Sequence, residues 1–100
     1  MGLHKTHRVN QGMHISGNGV DIDVIVRRFY NQEQVKIADL EIHSQEKSTL
    51  LTISTNDVPL VIREGIEVEI SDQRRSKSTV HINYRVDKKY LLEARDYEPK

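Results

Sequence analysis

The chain alternates apolar and polar residues over most of its length, and it does so in two closely similar stretches. "GVDIDV" at residues 19–24 and "GIEVEI" at residues 65–70 each place a glycine before β-branched residues that alternate with acids. A period of two residues puts the apolar side chains on one face of a β-strand. The residues predicted to face a shared core are Val20, Ile22, Val24, Ile66, Val68 and Ile70, and Val26 points the same way as the first three.

The same alternation continues elsewhere in shorter runs. Their apolar residues are Val35, Ile37, Leu40, Ile42, Leu51, Ile53, Leu60, Ile62, Val80, Ile82, Tyr84 and Val86. The alternation changes phase between Ile37 and Leu40, which predicts a β-bulge at Ala38–Asp39. For the segment 87–96 a short helix is the alternative to a last strand, and the alternation of its apolar residues favours the strand.

Polar turn signals separate the strands, and no stretch keeps a helical period over three turns. The signals are Gly17–Gly19, Asn31-Gln32, Asn56-Asp57, Arg63–Gly65 and Ser76–Ser78. These features together predict an all-β protein of antiparallel sheets, arranged as a barrel-like sandwich.

The repeated hexapeptide belongs to a longer internal repeat with offsets of 45 to 47 residues. The further matches are Ile15 with Ile62, Arg27-Arg28 with Arg74-Arg75, and Val35–Ile37 with Val80–Ile82. Alternating strands resemble one another by chance, but the shared glycine, acids and arginine pair favour a tandem duplication. We therefore predict one domain over residues 1–100, with meanders at about 3–46 and 50–97. Each copy would complete the other's sheet about a pseudo-two-fold axis.

The charges cancel over the whole chain but not locally. Fifteen Lys and Arg balance fifteen Asp and Glu, so no global field draws the chain towards nucleic acid or a membrane. Residues 1–30 carry four basic against two acidic residues, residues 31–72 three against nine, and residues 73–100 eight against four. The two basic ends leave room for a local basic patch.

Several residue types are absent or scarce. Without cysteine there is no disulfide, no thiolate metal site and no cysteine nucleophile. The apolar runs are too short to span a bilayer and no signal-peptide core follows Met1, so a cytoplasmic protein without membrane contact is expected. One Phe, four Tyr and no Trp offer few platforms on which single-stranded bases stack.

Two stretches, "MHISGNGVDIDVIV" at 13–26 and "NQEQVKIADLEIHS" at 31–44, resemble the carbon storage regulator (CsrA/RsmA) family. "KTHR" before Val9 is similar to that family's first strand, and the second copy follows the pattern more loosely from "LLTISTND" to "LLEARDYE". The resemblance implies a small RNA-binding translational regulator, whose two identical subunits interleave five strands each and recognise GGA-containing loops. This chain would then be a single-chain imitation of that dimer.

In the family, each RNA site pairs the basic end of one subunit's first strand with the arginine after the other subunit's fifth strand. Lys5, His7 and Arg8 stand at the first of these positions in copy one, and Arg95 stands at the second in copy two. The resemblance therefore implies one RNA site that combines both copies.

A dimer of the family has a second RNA site, and the residues at the corresponding positions of this chain depart from the family's pattern. Ser44 stands where the fifth-strand arginine of copy one is expected, and Thr55-Asn56 replace the first-strand arginines of copy two. The family's C-terminal helix has no counterpart between the copies. We therefore expect at most one site to persist.

A further basic segment, Lys88-Lys89, has Tyr84 and Tyr90 nearby and is also a candidate for nucleic-acid contact. The alternative is that both tyrosines are half-buried sheet residues. The arginine pairs at 27–28 and 74–75 could contact phosphates, although solvated turns are the favoured interpretation.

Two pairs of carboxylates, Asp21/Asp23 and Glu67/Glu69, each lie on one strand face about 7 Å apart. This spacing raises a metal or acid–base hypothesis, but salt bridges to neighbouring strands are the favoured alternative. His4 and His7 have ligand-like spacing without a third ligand. We therefore predict no enzyme, no metal and no cofactor.

The leading hypothesis is an RNA-binding post-transcriptional regulator that contacts phosphates and purine edges through Lys5, His7, Arg8, Lys88, Lys89 and Arg95. The alternative is a protein-interaction or self-associating β module that has lost RNA binding and uses an acidic face or open edge. The chain would be a monomeric pseudo-dimer or a homodimer.

Overall fold

A computed structural model describes residues 2–45, 47–71 and 78–100. In these ranges the chain forms nine strands and no helix, which confirms the predicted all-β class, including a last strand within 87–96. The strands are β1 (Gly2–His7), β2 (Gln11–Gly17), β3 (Val20–Gln32), β4 (Val35–Ser44), β5 (Lys47–Ser54), β6 (Leu60–Arg63), β7 (Ile66–Ser71), β8 (Val80–Val86) and β9 (Leu91–Asp96). The Arg74-Arg75 pair lies outside the described residues. No helix that could cross a membrane occurs in the described ranges.

The strands form two antiparallel sheets. The four-stranded sheet has the order β1-β8-β7-β6, and the five-stranded sheet has the order β5-β4-β3-β2-β9. Most neighbours are consecutive in sequence, as in a meander. The two end strands are the exceptions, because β1 pairs with β8 and β9 pairs with β2. The N-terminal strand β1 therefore pairs with the C-terminal meander, and the C-terminal strand β9 pairs with the N-terminal meander.

The core contains apolar side chains from both sheets. All six residues predicted to face the core are buried, including Ile22 in β3 and Val68 in β7, and so is Val26. Other fully buried core residues are Met13, Ile15, Leu40, Val80, Ile82 and Tyr84. The alternation of the sequence therefore identified the inward face of β3 and β7.

The apolar residues of the alternating run at the start of β4 are not the ones that the strand buries. The strand runs without a break, and Ala38 and Leu40 are buried together with Lys36, whereas Val35 and Ile37 are partly exposed. The Lys36 ammonium donates a hydrogen bond to the Thr79 carbonyl at 2.8 Å, which allows a lysine to lie on the inward face.

The register irregularity lies in the neighbouring strand instead of at Ala38–Asp39. Val26 pairs with Leu40 and Arg28 pairs with Asp39, so Arg27 is the extra residue of the bulge. Ser44, where the resemblance places the fifth-strand arginine of copy one, is the last residue of β4 and does not belong to a separate strand. Within the described residues, the four-stranded sheet ends at β6. The duplication stays a prediction.

The turn predicted at Asn31-Gln32 lies two residues later. Both residues belong to β3, and the hairpin turns at Glu33 and Gln34, whose φ angles are 50° and 68°. Positive φ at both central residues is typical of the two-residue turns that match strand twist. The β2–β3 turn lies where it was predicted, at Gly17–Gly19.

Candidate nucleic-acid interface

The end of β1 and the end of β9 border a common groove of about 270 Å³, which we call the terminal groove. Its lining residues are Lys5, Thr6, His7, Gln11, Gly12, Ala94, Arg95 and Asp96. Because β1 belongs to the four-stranded sheet and β9 to the five-stranded sheet, the groove combines residues from both.

Hydrogen bonds around the turn between β1 and β2 hold this part of the chain together. The Arg8 amide donates to the Gln11 side-chain carbonyl at 2.8 Å, and the Gln11 side-chain amide donates to Asp96 at 3.0 Å. The Tyr97 amide donates to the Asn10 carbonyl at 2.7 Å. These bonds fix the end of β9 against the turn that follows β1, so both walls of the groove have a defined position.

Two basic side chains line the terminal groove. Lys5 is exposed and makes no ion pair with any described residue. Arg95 is also exposed, and its Nε donates to the Glu93 carboxylate, a bond that raises the pKa of the Arg95 guanidinium. The groove therefore presents one unpaired ammonium and one guanidinium that already has an acidic neighbour.

His7 lines the same groove but cannot supply the charge that was expected of it. Its Nε2 is hydrogen-bonded to the Tyr84 hydroxyl at 2.8 Å, and the two rings meet edge to face. Burial, together with the nearby charge of Lys5, lowers the pKa of His7 to about 4. At neutral pH the ring is uncharged and forms part of the wall.

The other predicted contact residues lie outside the groove. Arg8 is exposed in the adjoining turn but does not line it. Lys88 and Lys89 lie in the turn before β9, at the opposite end of that strand from Arg95. The Lys89 ammonium lies 5.3 Å from the centre of the Tyr90 ring.

Neither tyrosine near this basic segment is available to stack on a base. Tyr84 is a fully buried residue of β8, and Tyr90 is buried just before β9, so neither is the half-buried sheet residue that the alternative described. Exposed aromatic surface is therefore scarce in the described parts of the chain, where Tyr30 is the one large aromatic side chain classed as exposed.

The paired carboxylates participate in cross-strand interactions. Asp23 accepts a hydrogen bond from the Tyr97 hydroxyl at 2.6 Å and lies 2.8 Å from Nδ1 of His14. The Nε2 of the same histidine lies 3.2 Å from Asp21. In the other pair, Glu69 accepts a hydrogen bond from Arg85 at 2.9 Å.

These contacts agree with cross-strand pairing of three of the four acids, Asp21, Asp23 and Glu69. No cluster of three potential metal ligands occurs among residues 2–45, 47–71 and 78–100. Sequence reasoning did not identify Tyr97 as a partner of Asp23, because the two residues lie 74 positions apart and belong to no shared motif.

Sequence reasoning also missed a buried ion pair on the outer side of the five-stranded sheet. Arg27 donates to Glu41 at 2.9 Å, and Lys100 lies 3.1 Å from the same carboxylate. Burial raises the pKa of the Glu41 carboxyl, but hydrogen bonds from Ser48, Arg27 and Lys100 outweigh it and lower the pKa to about 2. Arg27 therefore has a structural partner and is not a solvated turn residue.

No family model, no curated protein and no solved structure matches the chain. The resemblance to carbon storage regulators consequently rests on the residues quoted above.

Proposed function

We propose that the protein binds RNA in the terminal groove and acts as a post-transcriptional regulator. The observation that carries the proposal is the meeting of Lys5 and Arg95, from opposite ends of the chain and different sheets, in one groove. The resemblance implies a site of this composition, in which first-strand basic residues of one copy meet the fifth-strand arginine of the other.

The exchange of the end strands also supports the proposal. Interleaved subunits place their first and last strands in each other's sheets, and β1 and β9 cross between the sheets in the corresponding way. A single chain with this exchange needs no second subunit to assemble the groove. The protein would therefore bind RNA as a monomer.

The charges around the groove favour a small, selective contact. Arg95 can read a guanine edge through its two parallel donors, whereas Lys5 can neutralise one phosphate. Glu93 and Asp96 border the same surface and repel phosphates that are not held by these donors. Because few phosphates are neutralised, we expect a shallow dependence of affinity on salt.

The test is a fluorescence-anisotropy titration of an RNA hairpin with a GGA loop at two ionic strengths. The matched control is the same hairpin with the loop changed to CCU. We expect tighter binding of the GGA hairpin and weaker binding at the higher salt concentration. The absence of detectable binding at low salt would contradict the proposal and favour the protein-interaction alternative.

A further inference from the structure

A second and larger groove, of about 630 Å³, lies between β6 and the five-stranded sheet; we call it the edge groove. Its apolar lining residues include Ile22, Ile42, Leu51, Val61 and Ile62. The first three belong to the five-stranded sheet, and the last two belong to the edge strand of the other sheet. The groove is thus an opening between the two layers of the sandwich.

The backbone of β6 is available on the side that borders this opening. β6 is the last strand in the order of the four-stranded sheet, and among the described residues no strand pairs with its outer edge, so a row of N–H and C=O groups is open there to another strand. Its Val61 side chain is 60% exposed. The five-stranded sheet has one strand more, so the position beside β6 is where a matching fifth strand would lie.

The charged residues of the edge groove determine what kind of strand fits there. Lys47 and Arg63 line it, and neither makes an ion pair with a residue in the described parts of the chain. Asp21 also lines the groove, but His14 lies 3.2 Å from its carboxylate. The two unpaired cations favour an occupant with acidic side chains.

We propose that the edge groove binds an extended segment of a partner protein in which apolar and acidic residues alternate. The segment would add to β6 as a fifth strand, with main-chain hydrogen bonds along the edge and apolar side chains towards Ile42 and Leu51. Its acids would lie beside Lys47 and Arg63. The edge groove is separate from the terminal groove, which is bordered by β1 and β9.

A second copy of the chain does not supply such a segment. Among the described strands, apolar residues alternate with acids in β3, β4 and β7, and all three lie inside their sheets with neighbours on each side. The edge strand β9 carries Glu93 and Asp96, but Glu93 is already paired with Arg95. A folded copy therefore has no free edge of the required composition. The occupant is accordingly a segment of another protein.

The test uses two labelled peptides of alternating sequence, one with four Glu and three Val residues and one with Lys in place of each Glu. Fluorescence anisotropy should show at least tenfold tighter binding of the acidic peptide. Val61→Glu and Arg63→Glu should each weaken that binding at least tenfold. The matched control is Val58→Glu, because Val58 is 84% exposed and does not line the groove; it should change binding less than twofold.

Amide hydrogen exchange provides the second measurement, and bound acidic peptide should slow the exchange of β6 amides. Equal affinity for the two peptides, or equal effects of Val61→Glu and Val58→Glu, would overturn the proposal. If the protein were a dimer that Val61→Glu dissociates, the partner of β6 would be a second copy of the chain. If the GGA hairpin displaced the peptide, the edge groove would be an RNA site. Either result would contradict the proposal. Because Arg95→Ala should leave peptide binding unchanged, failure of the RNA proposal is distinguishable from failure of this one.

Discussion

Nε2 of His7 lies 2.8 Å from the hydroxyl of Tyr84, and this buried hydrogen bond joins β1 to β8 across 77 positions of the chain. The pair has an electrostatic consequence, because burial lowers the pKa of His7 to about 4 and raises that of Tyr84. The attachment of β1, which forms one wall of the terminal groove, therefore depends on an uncharged histidine.

This pair predicts a loss of stability in mild acid. The folded-state pKa of His7, about 4, is below its ordinary value of 6.5, so the unfolded chain binds a proton first as the pH falls. The stabilisation is complete above pH 6.5 and is lost between pH 6.5 and 4, by up to about 3 kcal/mol. Urea unfolding measured across this pH range checks the prediction.

The matched control for His7 is His4, which is exposed on the same strand. His7→Gln should flatten the dependence of the unfolding free energy on pH between 6.5 and 4, whereas His4→Gln should leave the slope as in the unsubstituted protein. Equal slopes for the two variants would show that His7 is not the titrating group.

Arg27 and Arg28 are adjacent in sequence but should differ strongly in their contribution to stability. Arg27 forms a largely buried ion pair with Glu41, whereas Arg28 is exposed. Arg27→Met removes the guanidinium from a buried carboxylate that Ser48 and Lys100 still contact, and it should cost about 1–3 kcal/mol of unfolding free energy. Arg28→Met should cost less than about 0.5 kcal/mol. Chemical denaturation of both variants at pH 7 measures the difference.

The same ion pair contributes in a separate pH window. The Glu41 pKa of about 2 is below its ordinary value of 4.5, so its stabilisation is present above pH 4.5 and is lost as the pH falls towards 2. Arg27→Met should reduce this loss. An unchanged slope between pH 4.5 and 2 in Arg27→Met would contradict the assignment.

The inward face of the strands can be tested with two valines. Val68 is buried in β7, whereas Val58 precedes β6 and is exposed. Val68→Asp would bury an unpaired carboxylate and should unfold the protein, as should Ile22→Asp in β3. Val58→Asp should change the melting temperature by only a few degrees. Thermal melts followed by circular dichroism would contradict the core assignment if Val68→Asp melted like Val58→Asp.

Local alternation predicted the strand class well because a period of two residues directly reports which side of a strand is buried. It failed at β4, where Lys36 lies on the inward face and the apolar Val35 and Ile37 do not. A buried lysine becomes possible only through a distant partner, here the carbonyl of Thr79. The position of the bulge, at Arg27, likewise depends on strand register, which periodicity does not report.

The candidate site was predictable only in part. The resemblance named Lys5 and Arg95, which the fold brings into one groove, and it also named His7, whose charge is suppressed by burial. Lys88-Lys89 are close to Arg95 in sequence but are separated from it by the length of β9. Closeness in sequence does not predict closeness in space here, because the two ends of an extended strand lie far apart.

Glu93 should limit the availability of Arg95 to RNA. The two side chains form an exposed ion pair, which RNA must displace before it can use the Arg95 donors. Because exposed ion pairs are weak, Glu93→Gln should strengthen binding of the GGA hairpin about twofold. Glu64→Gln, which removes the same charge at an exposed turn, corrects for the change in net charge. Equal effects of the two variants in anisotropy titrations would contradict a specific role of Glu93.

The claim that Lys5 and Arg95 form one RNA site is tested most directly by a double-mutant cycle of RNA affinity. Arg95→Ala should weaken binding of the GGA hairpin about tenfold, because a base-reading arginine contributes about 1–3 kcal/mol of discrimination. Lys5→Ala should weaken it by a similar factor. The loss in the double variant should be smaller than the sum of the two single losses, because both residues serve one groove.

Lys88→Ala provides the reference for this cycle, since Lys88 lies at the opposite end of β9. Lys88→Ala should have little effect, and its combination with Lys5→Ala should be additive. The measurement is the anisotropy titration of the GGA hairpin with the unsubstituted protein and the three variants of the Lys5–Arg95 cycle at one low salt concentration. We predict non-additive losses for Lys5 and Arg95; additive losses, or no loss in either single variant, would contradict a shared RNA site.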